Sequence, residues 1–166
     1  MSTEVSREQW LANRKNSIGA SEVACVLGQD PYRSRYQLWA EKCGFAEPDD
    51  LSNNDAVKWG NRLQDTIACG FAADTGRRVE IHDQNVSIAG EHPLSATPDA
   101  WQFCDDFTQD SEGLLEIKAP GSRMAADWDG DAPLHYQIQL QAQLAVTSCT
   151  WGTIAALIDR KLVWFD

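Results

Sequence analysis

The apolar residues of this chain change period once, near Gly76. Before it, Trp59, Leu63, Ile67 and Phe71 recur every four residues, the spacing of one helical face. From Arg78 onward the texture becomes short runs separated by turn residues: RVEIH, NVSIA, PLSAT, DAWQF, GLLEIK, WGTIAALI and KLVWF. These read as strands. The segment LHYQIQLQAQLAV interrupts them. Its glutamines alternate with apolar residues, as in a strand, but Gln, Leu and Ala are helix formers. Tyr136, Leu140, Leu144 and Thr147 also share a helical face, so the segment is read as a helix before a closing hairpin. The expected class is mixed α/β: helices first, a sheet in the middle, one more helix and two last strands.

The first part of the chain supplies further helices. Ser6 followed by Gln9 forms a capping-box pattern opening a helix that ends at Asn16. Ser21 suits an N-cap, with Glu22 at the positive end and Gly28 as the C′ residue. Ser34 to Cys43, stopped by Gly44, predicts a third helix with Tyr36, Leu38 and Trp39 partly buried. PDDLSNND is loop by composition. At 166 residues, 43% hydrophobic and with seven tryptophans, the chain suits one domain with a real core. It stops at Asp166 straight after a strand, so a missing C-terminal segment is expected. No apolar run nears the roughly 18 residues of a spanning helix, and the N-terminus lacks a signal-peptide pattern, which reads as cytoplasmic with no membrane role. Five cysteines without metal-like spacing are expected to be buried small hydrophobes. His82, His92 and His135 have no such spacing either.

Two acids and a lysine stand out. TPDAWQF is followed, after a polar loop, by GLLEIKAP. In a strand, Glu116 and Lys118 share a face and Ile117 points to the apolar layer, leaving its carbonyl to join them. If Asp99 opens the neighbouring strand, two carboxylates and a carbonyl form a hard oxygen site suited to Mg²⁺. Lys118 could then orient or deprotonate a water. Alone, E-x-K on a hairpin is more often an ordinary charged face.

Five ordered blocks change that balance: R-x-x-x-I-G-A-S-E at 14–22, W-G-N-R-L at 59–63, T-P-D at 97–99, L-E-I-K-A-P at 115–120 and Y-x-x-Q-x-Q at 136–141. Together they resemble the lambda exonuclease family, the YqaJ-type viral recombinases of the PD-(D/E)XK nuclease superfamily, over nearly the whole chain. The resemblance implies a restriction-endonuclease-like core, a mixed central sheet flanked by helices, with residues 1–166 as a single PD-(D/E)XK nuclease domain. It implies that Asp99, Glu116 and the Ile117 carbonyl bind Mg²⁺, with two ions in all and Mn²⁺ as a substitute. Lys118 would assist the attacking water and Gln139 would lie beside it.

The I-G-A-S block looks like a pocket for a 5′ phosphate, with backbone N–H groups at a helix start, the Ser21 hydroxyl and Arg14 as donors. By itself Ser21 would be a plain N-cap. Thr97 is grouped with this DNA-binding set, and Arg123 matches a further phosphate-contacting position. Arg33 and Arg35, near Tyr32 and Tyr36, are candidates for touching DNA, against the alternative of a solvated loop. Trp59 and Trp101 read as core rather than as base-stacking platforms. One departure matters. After W-G-N-R-L the family carries a metal-binding Glu, and this chain has Gln64. Either the second ion binds more weakly, or Asp65 or a water substitutes, or the position has been altered; adjacent helical residues point about 100° apart, which disfavours Asp65.

The function so implied is a Mg²⁺-dependent exonuclease acting 5′ to 3′ on double-stranded DNA ends. It would release mononucleotides and leave 3′ tails for a phage-type single-strand annealing protein, as a homotrimeric ring in a bacterial host and of phage or prophage origin. With 14 basic against 25 acidic residues the net charge is −11, which by itself argues against DNA. A ring with basic residues inside and acidic ones outside reconciles the two. Competing readings are a Cas4-like or RecB-like nuclease, the former disfavoured by the lack of a cysteine cluster; a non-catalytic or weakened DNA-end-binding protein carrying Gln64; and an acidic protein-binding domain.

Overall fold

A computed structural model describes residues 16–81, 86–88, 93–104 and 112–166. The helix expected from Ser6, together with Arg14, His82 and His92, lies outside the described residues. Strand β1 (Ile18–Gly19) runs directly into helix α1 (Ala20–Val26). Its N-cap is Gly19, not Ser21. Glu22 turns back to accept the Gly19 N–H at 2.9 Å, so a carboxylate ties off the helix start instead of a hydroxyl. Ser21 becomes the second helical residue and is exposed. Gly28 ends the helix at φ +73°, as its C′ position demands.

Helix α2 (Arg35–Lys42) starts at Ser34, whose Oγ accepts the Gln37 N–H while Gln37 Oε1 accepts the Ser34 N–H. Only Leu38 of the three residues expected to be partly buried faces the core. Tyr36 and Trp39 are 73% and 50% exposed and lie in a row with Phe45. Helix α3 (Asp55–Thr75) is capped by the Asn54 side chain and ends at Gly76. Its inner face is Ile67, Ala68 and Phe71. Trp59 lies too near the start of α3 to reach that core; it is 57% exposed with Arg62 over its ring, correcting the core reading.

The strands are β2 (Arg78–Glu80), β3 (Val86–Ile88), β4 (Leu94–Ala96), β5 (Ala100–Phe103), β6 (Glu112–Lys118), β7 (Gly152–Ile158) and β8 (Lys161–Phe165). Helix α4 (Leu134–Thr147) is where the glutamine-rich segment was read as helical. Tertiary burial decides that ambiguity, since Leu140 and Leu144 pack on one layer and Val146 on another. A 3-10 segment, Ser122–Trp128, precedes it. Among the described residues the central sheet has the order β2-β5-β6-β7-β8, antiparallel except for β6 and β7. The β6–α4–β7 crossover is what makes this pair parallel. A second sheet, β1-β4-β3, was not foreseen; its strands are two or three residues long, too short for a periodic signal.

The core has two layers about the central sheet. Ile67, Ala68 and Phe71 of α3 meet Leu115, Ile117 and Ala155 on one face. Leu140 and Leu144 of α4 meet Leu114, Ile154 and Ala156 on the other, with Trp101 partly buried against them. A mixed central sheet flanked by helices is thus the architecture. The cysteines depart from expectation: Cys25 is buried, Cys104 and Cys149 are half-buried, and Cys43 and Cys69 are exposed.

Candidate active site

Strand β6 alternates between the two layers, so Leu115 and Ile117 go to α3 while Glu116 faces α4. Glu116 is 1% exposed, and a carboxylate so buried requires partners. Its Oε1 accepts from Lys118 Nζ and from Gln139 Nε2, the latter at 2.6 Å. Its Oε2 accepts from Gln143 Nε2 at 2.7 Å. Gln143 is a fully buried residue that the sequence reading passed over as one of four alternating glutamines. The available signal was its spacing of four from Gln139, which puts both amides on one helical face.

Asp99 arrives from the other side. The chain leaves the small sheet at β4, passes through Thr97 and buried Pro98, and enters the central sheet at β5, so Asp99 stands at the passage between sheets. Its Oδ2 accepts the Ile117 N–H at 2.8 Å, and its Oδ1 accepts from Gln64 Nε2 at 3.2 Å. Asp99 therefore does sit next to the E-x-K face, and Gln64 of α3 touches it. Burial first, and then the charge of Glu116, push the Asp99 carboxyl up to about 7, against the opposing pull of Lys118 and the Ile117 N–H.

Burial would lower the Lys118 pKa, but Glu116 and Asp99 more than offset it, so the ammonium is held above its usual range. Its Nζ also lies 4.8 Å from the Tyr136 ring centroid, a cation–π contact. An ammonium held charged is a donor and not a base.

Residues 9–150 match the YqaJ-like viral recombinase domain. The chain belongs to that family. The YqaJ-like domain is 27% identical to the uncharacterized protein YqaJ of Bacillus subtilis (strain 168) over 98% of this chain and 50% of that protein. It spans half or less of the length of the curated relatives it matches. Among solved structures it is similar to an alkaline exonuclease (LHK-Exo) from Laribacter hongkongensis, with 25% identity and a TM-score of 0.71 over 95% of this chain and 80% of that one. The same enzyme in complex with dAMP aligns with a TM-score of 0.70 and 25% identity, over 95% of this chain and 81% of that one.

Within the YqaJ-like domain, β1 and β4 pair in parallel with Gly19 opposite Ser95, so Ser21 and Thr97 leave the strand pair in the same direction, and both are exposed. The I-G-A-S block and T-P-D thus share one edge. Arg123 is exposed near the start of the 3-10 segment. Arg35 is exposed, with its guanidinium folded over Gly28. Arg33 is engaged inside the chain, pairing with Glu41 at 2.8 Å and with Glu22 at 3.8 Å.

The donor set suits a hard cation. Asp99 and Glu116 offer carboxylate oxygens, while Gln64 turns its amide Nε2 to Asp99. Among the described residues no group of three His, Cys, Asp or Glu is gathered anywhere, and the site brings together the two carboxylates of Asp99 and Glu116.

Proposed function

We propose that this domain is a metal-dependent exodeoxyribonuclease. It acts on double-stranded DNA ends from 5′ to 3′, releases mononucleotides and leaves 3′ tails for annealing by a phage-type single-strand annealing protein. The observation that carries the reading is the convergence of Asp99, Glu116 and Lys118 at the end of β6, with Gln139 and Gln143 locking the Glu116 carboxylate. Family membership and the likeness to an alkaline exonuclease support it. Asp99 and Glu116, with Gln64 and the Ile117 carbonyl, would hold Mg²⁺. The ion would supply a nucleophile at neutral pH and neutralise the leaving oxygen. Lys118 would orient the water or the phosphate, and Gln139 would hold the geometry between Lys118 and Glu116. The exposed edge carrying Ser21 and Thr97, with Arg123, Arg35 and Arg14, would receive the 5′ phosphate and the backbone. A homotrimeric ring in the cytoplasm of a bacterial host, encoded by a phage or prophage, completes the reading. Among the described residues no helix is long and apolar enough to cross a membrane.

The test is release of mononucleotides from linear duplex DNA bearing a 5′ phosphate, with Mg²⁺ or EDTA, for the parent and Lys118→Ala. The expected result is metal-dependent release, lost in Lys118→Ala, with a 5′ label disappearing before a 3′ label. A second reading, a weakened DNA-end-binding protein, is favoured by one observation: the Gln64 amide donates to Asp99 at the position where the family resemblance implies a metal-binding Glu. DNA ends bound without release under any metal would establish it.

A further inference from the structure

Beside Lys118 stand aromatic rings for which the proposed chemistry has no task. The Tyr136 ring carries the ammonium, and His135 lies against Tyr136 with centroids 3.9 Å apart. Tyr32 meets His135 at 5.8 Å with the ring planes at 87°. Tyr32 comes from a distant part of the chain, the turn between α1 and α2. Asp30 builds that turn: its Oδ1 accepts the N–H groups of Tyr32 at 2.7 Å and Arg33 at 3.2 Å. The Tyr32 hydroxyl reaches Met124 Sδ in the 3-10 segment at 3.6 Å. The ring is therefore tethered at its hydroxyl and beside His135, yet the residue is 65% exposed. Burial lowers the His135 pKa, so a neutral imidazole, not a cation, backs the ring.

A large aromatic side chain held from two sides and left mostly in water contributes little to the core. It is, however, a ready surface for another flat ring. The row from Tyr136 through His135 to Tyr32 leads outward from Lys118 in steps of 4.8, 3.9 and 5.8 Å, as the base of a terminal nucleotide extends outward from the phosphodiester that is cut. We propose that Tyr32 stacks on the base of the terminal nucleotide whose 3′ phosphodiester lies beside Lys118, seating that nucleotide for cleavage. This rests on the nuclease reading above. Stacking accepts any base because every base has a π face, which suits an enzyme that degrades DNA regardless of sequence.

Two measurements test it. In Ca²⁺, a duplex with 2-aminopurine as the 5′-terminal base should change its fluorescence on binding the parent and Tyr32→Phe, and not on binding Tyr32→Ala. A probe ten nucleotides inward should report all three proteins alike. In Mg²⁺, Tyr32→Ala should slow cleavage of the terminal nucleotide on the order of ten-fold, about the worth of one stacked base. On a duplex whose terminal nucleotide is abasic, parent and Tyr32→Ala should be equally slow. An unchanged fluorescence response in Tyr32→Ala, or an equal slowing with and without the base, overturns the stacking role while leaving an active nuclease. A parent that neither binds nor cuts DNA overturns the nuclease reading and the stacking role together, and is told apart by the inactive parent.

Discussion

Asp99 and Gln64 are the pair on which the chemistry turns. Without a cation, the Asp99 carboxyl titrates near 7 because burial and Glu116 oppose its charge. In the unfolded chain it titrates near 4. The folded state therefore keeps a proton that the unfolded state has lost, and stability present at low pH declines as pH rises from about 4 to about 7. The loss is roughly 4 kcal/mol at most. Thermal melts in EDTA should show it, and Asp99→Asn should flatten the profile. Under the proposed function, Gln64→Glu supplies the missing anionic ligand. It should lower the metal-free melting temperature by adding charge beside Asp99, and reduce the Mg²⁺ concentration for half-maximal cleavage roughly ten-fold, because ligand charge tunes cation affinity. An unchanged Mg²⁺ requirement would show that Gln64 is no ligand position. Strand geometry puts positions 116 and 118 on one face, but Asp99, Glu116 and Lys118 stood out as a site only through the ordered blocks of the family resemblance, since E-x-K by itself is more often an ordinary charged face. Gln143 did not stand out, because its role depends on α4 lying over β6.

The element that makes the site is α4, and Gly152 is a point where it packs closely on the sheet. A Cβ at Gly152 would stand 2.9 Å from Leu140 Cδ1 and 3.0 Å from the Leu114 carbonyl oxygen. Gly152→Ala should therefore push α4 away from β6 and β7, at a stability cost of about 1–3 kcal/mol. The same shift lengthens the Gln139 and Gln143 hydrogen bonds to Glu116. Cleavage should fall by more than the unfolded fraction accounts for, which denaturation and kinetics measured side by side will reveal. The element order was readable because α3 carries a four-residue apolar period and the later strands a shorter one. The cap of α1 was misassigned for a physical reason: Ser21 is the commoner capping residue, but Glu22 reaches back from the third position and makes Gly19 sufficient.

Across the whole molecule, the end of the sheet away from the site is closed by Arg77. Its guanidinium binds both oxygens of Asp166, at 2.7 and 3.0 Å, and donates to Gln102 and Thr153, which are fully buried. Hydrogen bonding to Arg77 holds the Asp166 carboxyl below its usual range. Arg77→Ala leaves Gln102 Oε1 without this donor and frees β8, so a loss of about 1–3 kcal/mol in chemical denaturation is expected. Metal-dependent cleavage should persist, because this network is separate from Asp99 and Glu116. No single motif announced it, since its members come from positions 77, 102, 153 and 166.

By itself the sequence determined the mixed α/β class, the strand face shared by Glu116 and Lys118, and the order of the helices and most strands. These follow from period and residue type, which are local. Only the tertiary structure decided that Trp59, Tyr36 and Trp39 stand in solvent, that T-P-D bridges two sheets, that Gln64 meets Asp99, and that Gln143 and Tyr136 enclose Glu116 and Lys118. Those contacts join residues distant in sequence, and their geometry depends on how helices settle on a sheet, which local periodicity does not specify.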